Sequence, residues 1–387
     1  MTEVSEPVPA VRRQSPLTSA AGLDLMLFAW LMFAVVLTTA LSKQPGGDWS
    51  FFVRAADALG TDRWGWIYVD HPNAQTGPLT IVVAWALDPW GLAAVRLAIM
   101  LTGVAVMGVL VWSTRGLPHV RWRLVAGGTV LALWWPQMSF FGHLDDALVL
   151  LLAVIGVVSA RRDRPMAAGA LAGFAIGVKP TGVFLLALAL PRRGSRTLRS
   201  WAPLLTGCII GLACWAPFVL ATTDTLDALR PRVQVYADSV LALLGQAGEV
   251  PPAWMRVLQL FAVVGLAAVA MRFRGPAAVL WMGVAARLLL DPAAWPYYTA
   301  GFVLGALVWE AYETQRRVPW ATLAGAVLLA PRWMVESDTT RAWLRLAACV
   351  GAIVVVFAGD RLRRSATDGG RVGQVAGEVA GHQVARS

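Results

Sequence analysis

Four short stretches gather residue types able to do acid–base or anion chemistry, each at the edge of an apolar run. The first is Gly46-Gly47-Asp48-Trp49-Ser50, just after the apolar run from Leu25 to Leu41. Behind it Trp49, Phe52, Val53, Ala56 and Leu59 recur at helical spacing, with Ser50, Arg54 and Asp57 on the other face. That pattern predicts a short helix lying flat at a membrane surface, with Asp48 fixed in depth at its start. A carboxylate there can cap the helix, or it can face water and take a proton from a reacting hydroxyl.

The second stretch holds Trp64, Trp66, Tyr68, Asp70, His71, Asn73 and Gln75. Aromatic faces beside hydrogen-bonding side chains are what a sugar ring needs, although interfacial Trp residues also form membrane belts and Asp70-His71-Pro72 also reads as a turn. The third stretch, Gly142-His143-Leu144-Asp145-Asp146, opens a helix whose first-turn acids suit its dipole. A metal there would need a further ligand at suitable spacing; none is evident, so no metal or cofactor is expected. The fourth is Lys179, between two short apolar segments. A cation at membrane depth is costly and tends to be functional, unless its ammonium snorkels to a headgroup. Arg96 and Arg287 are similar cations, and Asp291, four residues after Arg287, can pair with it. Asp291, Trp295, Tyr297 and Tyr298 form another polar–aromatic cluster, whereas Glu310 and Glu313 are expected to be solvated near a cytoplasmic helix end.

The elements that must hold these residues follow from composition. Of 387 residues, 57% are hydrophobic and only 14% charged, with a mean hydropathy of +0.60. That is too apolar for a soluble surface, and repeated runs of spanning length imply an all-α polytopic membrane protein. The net charge of +10 does not mark a nucleic-acid binder, because no basic, aromatic-interleaved domain carries it. Its arginines instead cluster between apolar runs, at 115–123, 161–164, 192–199, 272–274, 316–317 and 361–364. By the positive-inside rule these loops are cytoplasmic. The remaining linkers, Lys43–Gly77, the Gly142-His143 turn, Thr222–Pro252, Asp291–Pro296 and Pro331–Thr340, then form the working face outside. About twelve crossings result, with both termini cytoplasmic: a tail at 1–21, a transmembrane domain at 22–360 and a second tail at 361–387. Pro78 to Leu87 is too short to span and reads as re-entrant; Met166–Val178 and Thr181–Leu190 read as a hairpin tipped by Lys179-Pro180. Cys208, Cys214 and Cys349 lie in apolar segments and spell out no disulfide framework.

In its loop aspartate Asp48, the block Gly142 to Asp146, the arginines 161–164, the run Gly169-x-x-x-Gly173-x-x-x-Gly177-Val178-Lys179-Pro180 and Pro296-Tyr297-Tyr298, the chain resembles the C-type glycosyltransferases, most of all glycosyltransferase family 87 of actinobacteria. His143-Leu144-Asp145 stands where that family more often shows Gly-Gln followed by an amide or acid. The resemblance implies transfer of mannose, or alternatively arabinofuranose, from a polyprenyl-phosphate carrier to a cell-envelope glycan or glycolipid on the outer leaflet. Asp48 would be the base. Lys179, Arg96 and Arg287 would meet the donor phosphate, and Trp49, Asp70, His71, His143, Asp145, Tyr297 and Tyr298 would contact sugar or acceptor. A transporter or flippase for a lipid-linked sugar is the competing reading, although the paired repeats common in transporters are not evident.

Overall fold

Apolar runs of this length leave the backbone one way to satisfy its hydrogen bonds in lipid, the helix. The computed structural model describes residues 20–41, 47–191, 197–230, 232–293, 295–331 and 334–358, and these are helical with no strand among them. The two expected tails, Lys43 and the arginines at 192, 193 and 196 lie outside the described residues; Ala20 and Ala21 already belong to the first helix. In chain order the helices are α1 (Ala20–Leu41), α2 (Trp49–Ala56), α3 (Ile67–Asp70), α4 (Pro78–Leu87), α5 (Gly91–Ser113), α6 (Val120–Trp134), α7 (Pro136–Phe141), α8 (Leu144–Arg161), α9 (Pro165–Val178), α10 (Ala202–Ala221), α11 (Ala253–Arg274), α12 (Ala277–Leu290), α13 (Pro296–Glu313), α14 (Trp320–Leu328) and α15 (Asp338–Ala358).

Six stretches are long and apolar enough to cross a membrane: α1, Pro78–Ser113, Val120–Phe141, Leu198–Ala221, α11 and α15. The chain is therefore a multi-pass, all-helical membrane protein. Its innermost helices are α8, α12 and α13. On α12 every residue from Ala277 to Ala286 is buried, and on α13 every one from Tyr297 to Val308. Helices apolar on all sides belong inside a bundle. By contrast α1, α10 and α11 turn large residues outward, among them Leu25, Leu212 and Phe261, as lipid-facing helices do.

Lys179 breaks the chain between α9 and a 3₁₀ segment, Pro180–Ala189, that folds back along α9. The glycine run on α9 lets α10 approach closely: a Cβ on Gly169 would lie 2.0 Å from the Pro203 carbonyl oxygen, and one on Gly173 2.6 Å from that of Gly207. Such small-residue stripes are how membrane helices pack backbone to backbone. Gly77 does the same for the preceding loop. Its N–H donates to the Val178 carbonyl at 2.8 Å, and a Cβ there would collide with Gly177. The end of α9, and Lys179 with it, is thereby clamped under the loop that follows α3.

The arginine-rich turns meet at one end of the bundle. Arg161 pairs with Glu313 at 2.7 Å and lies over Tyr312, and Arg123 is buried with its guanidinium on the carbonyls of Pro118, Thr314 and Arg316. Glu310, expected in solvent, is 3% exposed. It reaches across to the start of α14 and accepts from Ala321 N–H, Thr322 N–H and the Thr322 hydroxyl, which satisfy amides that a helix start leaves unpaired.

Candidate active site

At the opposite end of the bundle several elements converge their charged residues. Asp48 precedes α2 in right-handed helical geometry (φ −75°, ψ −20°), and its carboxylate makes no capping bond. It turns instead to His143, whose Nε2 lies 3.0 Å from Asp48 Oδ2. The Asp48 N–H donates to the Phe141 carbonyl at 3.2 Å, so the end of α7 fixes its position. Among the described residues no hydrogen bond reaches Asp48 Oδ1.

His143 stands at the turn from α7 into α8, made by Gly142 at φ +79°, a backbone conformation glycine adopts without strain. The ring is stacked on Tyr297 at 4.0 Å, and Nδ1 lies 3.1 Å from Asp145 Oδ1. Both ring nitrogens thus face carboxylate oxygens. Neutral imidazole has one N–H and would turn a lone pair on a carboxylate, whereas imidazolium donates from both nitrogens. Burial opposes the charged ring, but the charge of Asp145 and the hydrogen bonds to Asp145 and Asp48 outweigh it, and the His143 pKa stands above its ordinary value.

The chain of charges continues inward. The Lys179 ammonium lies 2.8 Å from Asp145 Oδ2 and 2.5 Å from Asp146 Oδ2. Arg287 reaches Asp146 at 3.2 Å and Asp291 at 3.4 Å, with its guanidinium 3.9 Å from the Tyr298 ring centroid. Asp291 accepts from Gln259 at 3.2 Å, and Gln259 accepts from Arg256 at 2.6 Å. With His143 charged, the four carboxylates of Asp48, Asp145, Asp146 and Asp291 meet His143, Lys179 and Arg287 directly, and Arg256, linked through Gln259, brings the cations to four, the balance that buried charge requires. His143, Asp145 and Asp146 offer ligand atoms within 4.8 Å of one another. Lys179 already sits on both carboxylates, so a dication there would meet a fixed positive charge; the donor set does not fit a metal.

A cavity of about 390 Å³ opens beside this chain. Asp48, His143, Lys179, Arg256, Arg287, Tyr297 and Tyr298 border it, while Phe51, Trp215 and Leu260 give it apolar lining. Arg232, from the loop before α11, borders it too; it is exposed and forms no ion pair among the described residues. Asp145 stands behind the wall, holding Lys179 and His143.

Several expected contacts lie elsewhere. Trp49 is buried and packs edge-on against Phe52 at 5.8 Å. Asp70 is engaged by Arg63 at 2.7 and 2.8 Å, and Asp70, His71 and Arg96 do not border the cavity. The aromatics of that loop anchor it: Tyr68 stacks on Trp215 at 5.0 Å and Trp64 meets Phe218. Its later polar residues, Asn73, Gln75 and Thr76, do reach the cavity. Sequence reasoning missed Arg232, Arg256 and Gln259. Arg256 carried a signal in its position, at the start of an apolar run away from any arginine cluster, and Gln259 follows it by one helical turn, whereas Arg232 shares its loop with Arg230 and carried none. No protein-family model, curated protein or solved structure matches the chain, so the chemistry of the site is argued from its own geometry.

Proposed function

We propose that this chain is a membrane glycosyltransferase that moves a sugar, mannose in the first instance and arabinofuranose as the alternative, from a polyprenyl-phosphate donor to a glycan or glycolipid on the outer leaflet. Its crossings number about twelve, and both termini are cytoplasmic. One observation carries the reading: a carboxylate that caps nothing is held by one oxygen on the wall of a cavity that guanidinium groups also border.

The acceptor hydroxyl oxygen attacks the anomeric carbon and forms the new glycosidic bond as the bond from that carbon to the phosphate oxygen breaks. The hydroxyl proton passes to Asp48 Oδ1, while His143 holds Oδ2. Polyprenyl phosphate departs with the extra charge, met by Arg232 and Arg256 with Lys179 and Arg287 behind them. Asp291, the other carboxylate bordering the cavity, is committed to Ala293 N–H, Gln259 and Arg287. With no free second carboxylate to act as nucleophile, a single displacement with inversion follows. Because the buried chain is neutral, the unpaired Arg232 suits a donor carrying one negative charge, as a phosphodiester does. Trp215 on α10 and Leu260 on α11 offer a prenyl chain an apolar way out toward the lipid-facing helices.

The test is Asp48→Asn. Asparagine keeps the shape and still accepts from His143 but cannot take the proton. Single-turnover transfer from radiolabelled polyprenyl-phosphate mannose and arabinose should fall by about a hundred- to ten-thousand-fold, with donor binding retained. Near-native transfer by the variant removes Asp48 from the mechanism, and a wild-type protein inert with both donors ends the proposal.

A further inference from the structure

A second, larger cavity, about 730 Å³, lies at the same end of the bundle. Trp295 borders both cavities. Phe141 links them differently: its ring lines the second cavity and lies 5.8 Å from Trp295, while its carbonyl accepts the Asp48 N–H. Tyr236 meets Trp295 edge-on at 5.3 Å and is 41% exposed, so its ring remains available. The loop before α11 serves both spaces, giving Arg232 to the first and Tyr236 and Asp238 to the second.

The charges of this second cavity are closed. Asp238 receives Arg341 at 3.2 Å and Arg345 at 3.0 Å, and Arg341 also pairs with Asp338. Two carboxylates thus balance two guanidiniums, and no unpaired charge among the described lining residues awaits a phosphate or a carboxylate. What remains is aromatic surface from Trp134, Phe141, Tyr236 and Trp295, beside charged groups whose spare lone pairs and N–H groups can still bond hydroxyls. An uncharged, polyhydroxylated ring fits that chemistry: C–H faces against aromatic rings, hydroxyls to the rim. The volume lies within the roughly 300–1,000 Å³ usual for ligand sites.

We infer that this second cavity binds the uncharged saccharide portion of the acceptor, with Trp295 as the partition over which its terminal hydroxyl reaches Asp48. The inference rests on the transferase reading for its role, but saccharide binding is measurable without transfer. The experiment uses the full chain in lipid nanodiscs, with a neutral mannose disaccharide as probe and saturation-transfer difference NMR as readout. Wild type and Tyr236→Phe, which keeps the ring, should bind alike. Tyr236→Ala should weaken binding about tenfold, the scale for truncating an aromatic anchor. The backbone of Tyr236 donates to the Pro292 carbonyl in any case, so circular dichroism and unfolding of the alanine variant should match wild type. Mannose 6-phosphate should compete poorly, because the arginines of the second cavity are already paired. Absence of disaccharide binding overturns the inference, as does binding that Tyr236→Ala leaves intact but Arg256→Ala abolishes. If transfer is demonstrated while Tyr236→Ala leaves the acceptor KM unchanged, the inference falls and the transferase stands. If the disaccharide binds as expected but no donor supports transfer, the saccharide site stands and the transferase falls.

Discussion

The two ends of the bundle both bury charge, and they discharge it differently. At the arginine end Glu310 closes on the amides of Ala321 and Thr322, and Arg123 closes on backbone carbonyls. Those partners are backbone groups at the start of α14 and in the turns that flank α6 and α13. At the opposite end the charges close on one another, from Asp48 through His143 to Arg256, and the chain borders a cavity. A charge pinned to backbone serves the fold. A charge held by other side chains along a cavity wall can share a proton or yield to a ligand, and that difference marks one end as the candidate site.

Breaking each arrangement in turn gives the largest contrast. Lys179→Ala leaves Asp145 and Asp146 buried without the cation that lies on both, a loss of about 3–5 kcal/mol. The variant should be recovered poorly or unfold far below wild type in a thermal scan. Glu310→Gln keeps the shape but weakens acceptance from three donors, and should cost about 1–3 kcal/mol while transfer per folded molecule stays unchanged. A Lys179→Ala protein as stable as wild type would show that the ammonium is not balancing the two aspartates and is free to serve the donor alone.

Much of this was legible in the chain. Runs such as Ala253–Arg274 announce helices by length and composition, and the break at Lys179 was readable because a charged residue and a proline interrupt two segments too short to span. Asp48, His143, Lys179, Arg287, Tyr297 and Tyr298 were all nominated, and the fold brings them to one cavity. Pairing was not legible. Lys179 and Asp146 lie 33 residues apart, and their contact depends on α8 packing on α9, which no local pattern encodes. Asp70-His71 failed for the converse reason: the neighbouring Arg63 takes up Asp70, and sequence proximity to aromatics said nothing of direction. Glu310 was misplaced because its partners, at the start of α14, are set by tertiary packing.

The proton on His143 sharpens the contrast further, because both nitrogens of its ring face carboxylates beside the cavity. A pKa raised in the folded state means that the imidazolium's contribution is fully present at low pH and is lost as pH rises through the folded value. The groups facing the ring are Asp48, Asp145, Asp146, Lys179 and the stacked Tyr297. Transfer by wild type should therefore decline on the alkaline side as Asp48 loses its partner. His143→Gln should transfer more slowly below the folded His143 value, by roughly the 1.5–3 kcal/mol of a hydrogen bond to a charged group, should converge with wild type above it, and should lack that alkaline limb. An identical limb in both proteins would assign it to another group.

The smallest effect is expected at Asp70, which tests whether the boundary of the site has been drawn correctly. Arg63 and Asp70 form a short pair, yet their side chains are 56% and 30% exposed, and exposed pairs contribute little in water and less in salt. Neither residue borders the cavity. Asp70→Asn removes the charge while keeping the shape, so transfer should stay within about twofold of wild type, at low and high salt alike. The same substitution at Asp48, also a loop aspartate beside aromatic residues, should nearly abolish transfer. The two carboxylates differ chiefly in their partners, an exposed arginine for one and a buried histidine on a cavity wall for the other. A tenfold loss in Asp70→Asn would mean that the loop after α2 closes over the cavity during the reaction, and His71 would then return as a candidate contact.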